Sequence, residues 1–97
     1  MYAVIFRAEI KDLDEEYVEA AEQMRALALR SYDCIEFTSV TEGAQEIAIS
    51  YWETEEQIRK WKEDPKHLAV QERGRSRWYK SYKVQVVEIV REYKDSI

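Results

Sequence analysis

The chain holds one cysteine, one proline, one histidine and two glycines among its 97 residues. Each scarcity removes a class of protein. A lone Cys34 forms no internal disulfide and no multi-cysteine zinc site, so it suits a reducing compartment and reads as an inert, partly buried thiol. His67 stands far from Cys34 in sequence. The two do not make a zinc set, and no spaced Asp/Asn loop with glycine offers a calcium site, so no metal is expected. Two glycines leave no phosphate-cradling loop and no Gly-x-Ser-x-Gly elbow. No apolar run approaches the ~18 residues that span a bilayer, and MYAVIFRAEI lacks a basic leader. The expectation is a cytoplasmic protein with no membrane association.

What is present is globular: 45% hydrophobic and 36% charged residues, too apolar and aromatic for a disordered chain. The length predicts one domain over residues 1–97. A chain this size hides only about 60–65% of its unfolded surface, so burying a further face in a partner would help it. The net charge of −5 hides an asymmetry. Residues 1–57 carry 14 acidic and 4 basic groups, and residues 58–97 carry 6 and 11. Overall acidity repels phosphate backbones, so nucleic acid is not expected as a partner.

Periodicity gives the elements. Tyr2 to Ile10 alternates as a half-buried strand, with Tyr2, Val4, Phe6, Ala8 and Ile10 on one face. Asp12 with Glu15 reads as a capping box before an amphipathic helix from about Asp14 to Arg30. CIEFTSV is a weaker strand, Glu42–Gly43 a turn, and QEIAISYW a third strand with Ile47, Ile49 and Tyr51 together. Thr54 and Gln57 form a second capping box for a short helix through Trp61. Asp64–Pro65 restarts a helix that is expected to run to about Tyr79. A long final strand, YKVQVVEIVREY, is apolar on both faces. The order β-α-β-β-α-β predicts an α+β, ferredoxin-like fold with an antiparallel sheet. Helices on one face leave the other uncovered, and an apolar patch of that size is unusual on a monomer, so a homodimer with two sheets face to face is expected.

Chemistry concentrates between Lys60 and Tyr79. On a helix from Pro65, His67, Gln71 and Arg75 fall at i, i+4 and i+8, with Trp78 beside them and Trp61 as a wall. One reading is a small-ligand pocket in which His67 acts as acid or base and Arg75 stabilises an oxyanion, both catalytic, with Trp61, Gln71 and Trp78 binding substrate. The other is a polar helix face turned to solvent. The basic run through Arg73, Arg75 and Arg77 reads more simply as pairing with the acidic first helix than as a nucleic-acid surface.

Ser50 to Arg91 resembles the antibiotic biosynthesis monooxygenase (ABM) domain family, in its small stand-alone bacterial branch. Ser50-Tyr51-Trp52, Glu55, Trp61, His67, Ala69, Gln71, Gly74-Arg75 and Trp78-Tyr79 carry the likeness, and the first strand fits as well. Tyr32-Asp33-Cys34-Ile35 departs from it, standing where many members have a Pro-Gly-aromatic turn. The resemblance implies a dimeric α+β barrel. It also implies cofactor-independent oxygenation of a small aromatic or quinol-type compound, with no cofactor bound, or a non-enzymatic ligand-binding or dimerisation module. The family's haem degraders use an Asn on the first strand, a Trp and a His. Trp61 matches that Trp, but the first strand has no Asn and Gln71 occupies the approximate His position. Haem degradation is therefore not expected.

Overall fold

A computed structural model describes residues 1–96. β1 (Tyr2–Ile10), α1 (Glu15–Ser31), β2 (Glu36–Glu42), β3 (Gln45–Trp52), α2 (Glu55–Glu63), α3 (Pro65–Arg73) and β4 (Tyr79–Glu88) follow one another, with a π turn at Gly74–Trp78 between α3 and β4. The sheet order is β2-β3-β1-β4 and every pair is antiparallel. This is the ferredoxin-like α+β arrangement that the strand and helix periodicities predict.

Register fixes what each face carries. Val4 pairs with Ser50 and Val86, Phe6 with Ala48 and Val84, and Ala8 with Glu46 and Tyr82. Directly paired residues share a face, so these rows look toward the helices. There Val4, Trp52 and Cys34 pack with Met24 and Ala28 of α1 and with Ile58 and Trp61 of α2. The opposite face presents Ile5, Ile47, Ile49 and Tyr51, all half-buried, beside exposed Val40 and Val87. No helix among the described residues covers it.

Four boundaries differ from the sequence reading, the first being the second strand, which runs Glu36–Glu42 rather than Cys34–Val40. Asp14, not Asp12, caps α1: its Oδ1 accepts from the Tyr17 backbone N–H at 2.9 Å. Asp14 also takes the Trp78 indole N–H, and that tertiary bond is invisible to local pattern. The helix after Pro65 stops being α-helical at Arg73, and the π turn carries the chain to Trp78. β4 starts at Tyr79 and ends at Glu88, so Val90 lies beyond it, 85% exposed. The other signals were local and hold. The Thr54–Gln57 capping box is complete in both directions, and Asp64 caps α3 through the Lys66 N–H at 2.8 Å. At the exit of α1, Asp33 takes φ +58°. Aspartate tolerates this left-handed region better than most residues, and the turn is secured by the Cys34 N–H donating to the Ala28 carbonyl at 3.0 Å.

Candidate functional site

A cavity of about 180 Å³ lies between the helix face of the sheet and helices α1 and α3. Its wall is aromatic because three elements deliver rings to one place. Phe6 comes from β1, Phe37 from β2, and Tyr79 and Tyr82 from β4. Phe6 lies 5.5 Å from Tyr79 and 6.0 Å from Tyr82 between ring centroids.

One end of the cavity is built by Trp61 and His67. Trp61 is 6% exposed and packs at 5.1 Å on Trp52 and at 6.0 Å edge-on to Phe37. His67 stands edge-on to Trp61 at 4.5 Å. Asp64 sets the start of the turn that carries His67, and the Tyr32 hydroxyl donates to Asp64 Oδ2 at 2.6 Å, tying this corner to the end of α1. Burial, reinforced by the nearby Lys62, lowers the His67 pKa to about 4, so the imidazole is neutral at physiological pH. Two polar atoms here lack partners: Trp61 Nε1 and His67 Nδ1 are both buried with no hydrogen bond. A buried indole N–H without an acceptor is costly, and two such atoms side by side invite a ligand that satisfies both.

Gln71 lies one turn further along α3. Its side-chain amide donates to the Tyr82 hydroxyl at 3.2 Å, so it lines the cavity while bridging α3 to β4. Trp78, 1% exposed, sits at the base of α1, edge-on to Tyr17 at 5.3 Å. Its indole N–H is already spent on Asp14 Oδ1 at 3.1 Å, so its contribution to the cavity is its ring.

Arg75 is not part of this cavity. Its guanidinium is exposed and pairs with Glu72 at 3.0 Å. Each i+4 step on an α-helix overshoots a full turn by about 40°, so two steps carry Arg75 about 80° round from His67. The π turn then departs from helical phase altogether. Arg77 likewise turns outward, to Asp14 and Glu16 at 3.0 Å each, while Arg73 and Arg77 lie over the Trp78 ring at 5.7 and 5.9 Å. The basic stretch does pair with the start of the acidic first helix.

The sequence reading missed Glu46. It is 7% exposed, lines the cavity, and accepts a hydrogen bond from the Thr41 hydroxyl of the neighbouring strand. Tyr17 and Tyr79 flank it, their rings 6.1 Å apart. Burial first, then the neighbouring Tyr79 and Glu46, raises the Tyr17 pKa, and burial raises that of Tyr79, so both phenols stay protonated. A signal was present: alternation that puts Ile47, Ile49 and Tyr51 on one face puts Glu46 on the other, with Ala48, Ser50 and Trp52. Among the described residues, no group of three or more His, Cys, Asp or Glu is placed to hold a metal ion. No helix among them is long and apolar enough to cross a membrane.

The structure superposes on SnoaB, a cofactor-independent oxygenase from Streptomyces nogalater, with a TM-score of 0.81 at 13% identity over 97% of both chains. It superposes on an antibiotic biosynthesis monooxygenase with a TM-score of 0.70 at 14% identity, over 94% of this chain and 100% of that one. The fold is therefore that of the antibiotic biosynthesis monooxygenases, as the residues from Ser50 to Arg91 suggested. In sequence, the chain is 38% identical over 92 residues to the uncharacterized protein YqjZ of Bacillus subtilis (strain 168), covering 94% of this chain and 81% of YqjZ. The chain belongs to the family of YqjZ. No family model matches it.

Proposed function

We propose that the protein is a cofactor-independent monooxygenase acting on a small aromatic or quinol-type compound. The observation that carries this reading is the pair of unpartnered polar atoms, Trp61 Nε1 and His67 Nδ1, at the end of an aromatic-walled cavity. A neutral imidazole accepts a hydrogen bond and an indole N–H donates one, which together fit a ligand hydroxyl. The volume of about 180 Å³ is on the scale of an engineered apolar cavity of about 150 Å³ that holds benzene. Similarity of fold to SnoaB and to an antibiotic biosynthesis monooxygenase supports the reaction class, although fold alone does not assign function.

The chemistry needs no bound redox group, because the substrate supplies the electrons. A naphthol gives up its hydroxyl proton, and the electron-rich ring carbon para to the oxygen reduces O₂ and forms a C–O bond. The ring carbon then loses its hydrogen, the O–O bond breaks, and one oxygen leaves as water, giving the quinone. The protein's part is to exclude water, hold the ring and take the proton. His67 is the hydrogen-bond acceptor at the Trp61 end, Gln71 and Trp78 shape the wall, and Arg75 has no role.

We further propose that the working assembly is a homodimer, with one cavity per subunit. The apolar sheet face at Ile5, Ile47, Ile49 and Tyr51 supports it, since no element among the described residues covers that face.

The test is oxygen uptake by purified protein with 1-naphthol and 1,5-dihydroxynaphthalene, each with a free carbon para to a hydroxyl, above the uncatalysed rate. The expected result is uptake of one O₂ per naphthol with naphthoquinone formed, reduced at least tenfold in His67→Ala. Binding of these compounds without any oxygen uptake would favour the second reading, a non-enzymatic ligand-binding module.

A further inference from the structure

The cavity has a second polar pole, and Glu46 is that pole. β3 places Glu46 four residues before Ser50 on the same face. At a rise of about 3.3 Å per residue this is roughly 13 Å along the strand. Ser50 pairs with Phe37 and Val4, the residues that pack with Trp61, and His67 stands against Trp61. Glu46 therefore closes one end of the cavity and Trp61–His67 the other, with Phe6, Tyr82 and Gln71 between.

Glu46 is also chemically incomplete. A carboxylate has about four acceptor sites. The Thr41 hydroxyl occupies one, the Tyr17 phenol beside it donates toward a second, and no cationic side chain pairs with Glu46 among the described residues. A buried carboxylate with acceptor sites still open and a cavity before it selects for a ligand that brings another donor.

We infer that Glu46 is a specificity-determining residue, accepting a hydrogen bond from one hydroxyl of a two-ended aromatic diol whose other hydroxyl reaches Trp61 and His67. This rests on the reading of the cavity as an aromatic-ligand site and narrows it to compounds with hydroxyls at opposite edges. A two-ring diol with a hydrogen bond of about 2.8 Å at each end spans roughly the distance between the poles. A ring with one hydroxyl satisfies only one pole, and an anionic ligand such as a carboxylate is repelled by Glu46.

Calorimetric binding of naphthalene, 2-naphthol and 2,6-dihydroxynaphthalene to the full chain tests this, none of the readouts depending on turnover. The expected order is the diol tightest, by at least tenfold over 2-naphthol, with naphthalene weakest. In Glu46→Gln, diol affinity should fall about tenfold while naphthalene binding is unchanged. Equal affinity of the diol and 2-naphthol for the wild-type protein overturns the inference even if the variant does not fold. Unchanged diol affinity in a folded Glu46→Gln overturns it too, and in both cases naphthalene binding shows that the aromatic cavity survives. If none of the three binds, the reading of the cavity as an aromatic-ligand site fails, and the inference falls with it.

Discussion

Gly74 offers a sharp test of how tightly the cavity wall is packed. Its backbone is right-handed helical, φ −58° and ψ −49°, so alanine would fit the backbone without strain. In an ordinary helix that change would stabilise the protein by about 0.5–1 kcal/mol. Here the added Cβ would lie 2.6 Å from Tyr79 Cε2 and 3.0 Å from Cδ2. The ring cannot simply swing away, because Phe6, Tyr17 and Tyr82 surround it at centroid distances of 5.5, 6.1 and 6.0 Å. Overpacking of this kind costs about 1–3 kcal/mol. The clash outweighs the helix gain, leaving Gly74→Ala about 1 kcal/mol less stable, a drop in Tm of about 4–8 °C for a domain of this size. The discriminating measurement is a double-mutant cycle with Tyr79→Ala, followed by thermal and urea unfolding. With the ring removed, the same Gly74→Ala change should become stabilising by about 0.5–1 kcal/mol, a reversal of sign. If Gly74→Ala raises Tm in the wild-type background, the ring is freer than the structure places it and the reasoning is refuted.

Three further outcomes follow from the same contacts. The folded-state pKa of His67, about 4, lies below its ordinary value of 6.5, so the unfolded chain takes up the proton first as pH falls. Stability should therefore decline between about pH 6.5 and 4, by on the order of 3 kcal/mol. Melts at pH 7 and 4.5 should show a shallower decline for His67→Gln, and parallel declines would count against a buried neutral imidazole. Ile49→Asp on the uncovered sheet face should leave the circular dichroism spectrum intact and halve the mass seen by light scattering; an unchanged mass would remove this face from the subunit interface. Trp52 is fully buried with its indole N–H donating to Ser50 Oγ at 2.9 Å. Trp52→Phe should thus cost about 1–3 kcal/mol in urea unfolding, and a neutral result would mean that the hydroxyl finds another donor at no cost.

Much of this architecture is legible in the chain because its signals are local. Alternation from Tyr2 to Ile10 and from Gln45 to Trp52 fixes which residues face inward, and the Thr54–Gln57 and Asp64–Pro65 signatures mark helix starts within a few residues. What escapes the sequence depends on contacts between distant segments. Spacing points to Asp12 as the cap, but the Trp78 indole, 64 residues away, bonds to Asp14, which takes that place. Counting in steps of four puts Arg75 in line with His67, but each step overshoots a turn, and the guanidinium ends exposed beside Glu72. His67, Trp61, Gln71 and Trp78 do gather at the cavity, because α2 and α3 are short and meet at one corner. Glu46 carries a local signal as well, since it is a charged residue on the inward face of a strand, but its place at the cavity depends on α1 and β4 packing over it.

The sheet order also shapes how the chain can fold. β1 sits between β3 and β4 and pairs with both along almost its full length. The first strand to be synthesised therefore waits for the last before both of its edges are matched, and contacts this far apart in sequence slow folding. On the ribosome, α1 and the β2–β3 hairpin can form early, whereas β1 keeps one open edge until Tyr79–Glu88 emerges. An interrupted chain would expose an apolar strand edge of the kind that recruits other chains. Completion of β4 is thus the step that covers the open edge of β1 and turns an aggregation-prone intermediate into the full four-stranded sheet.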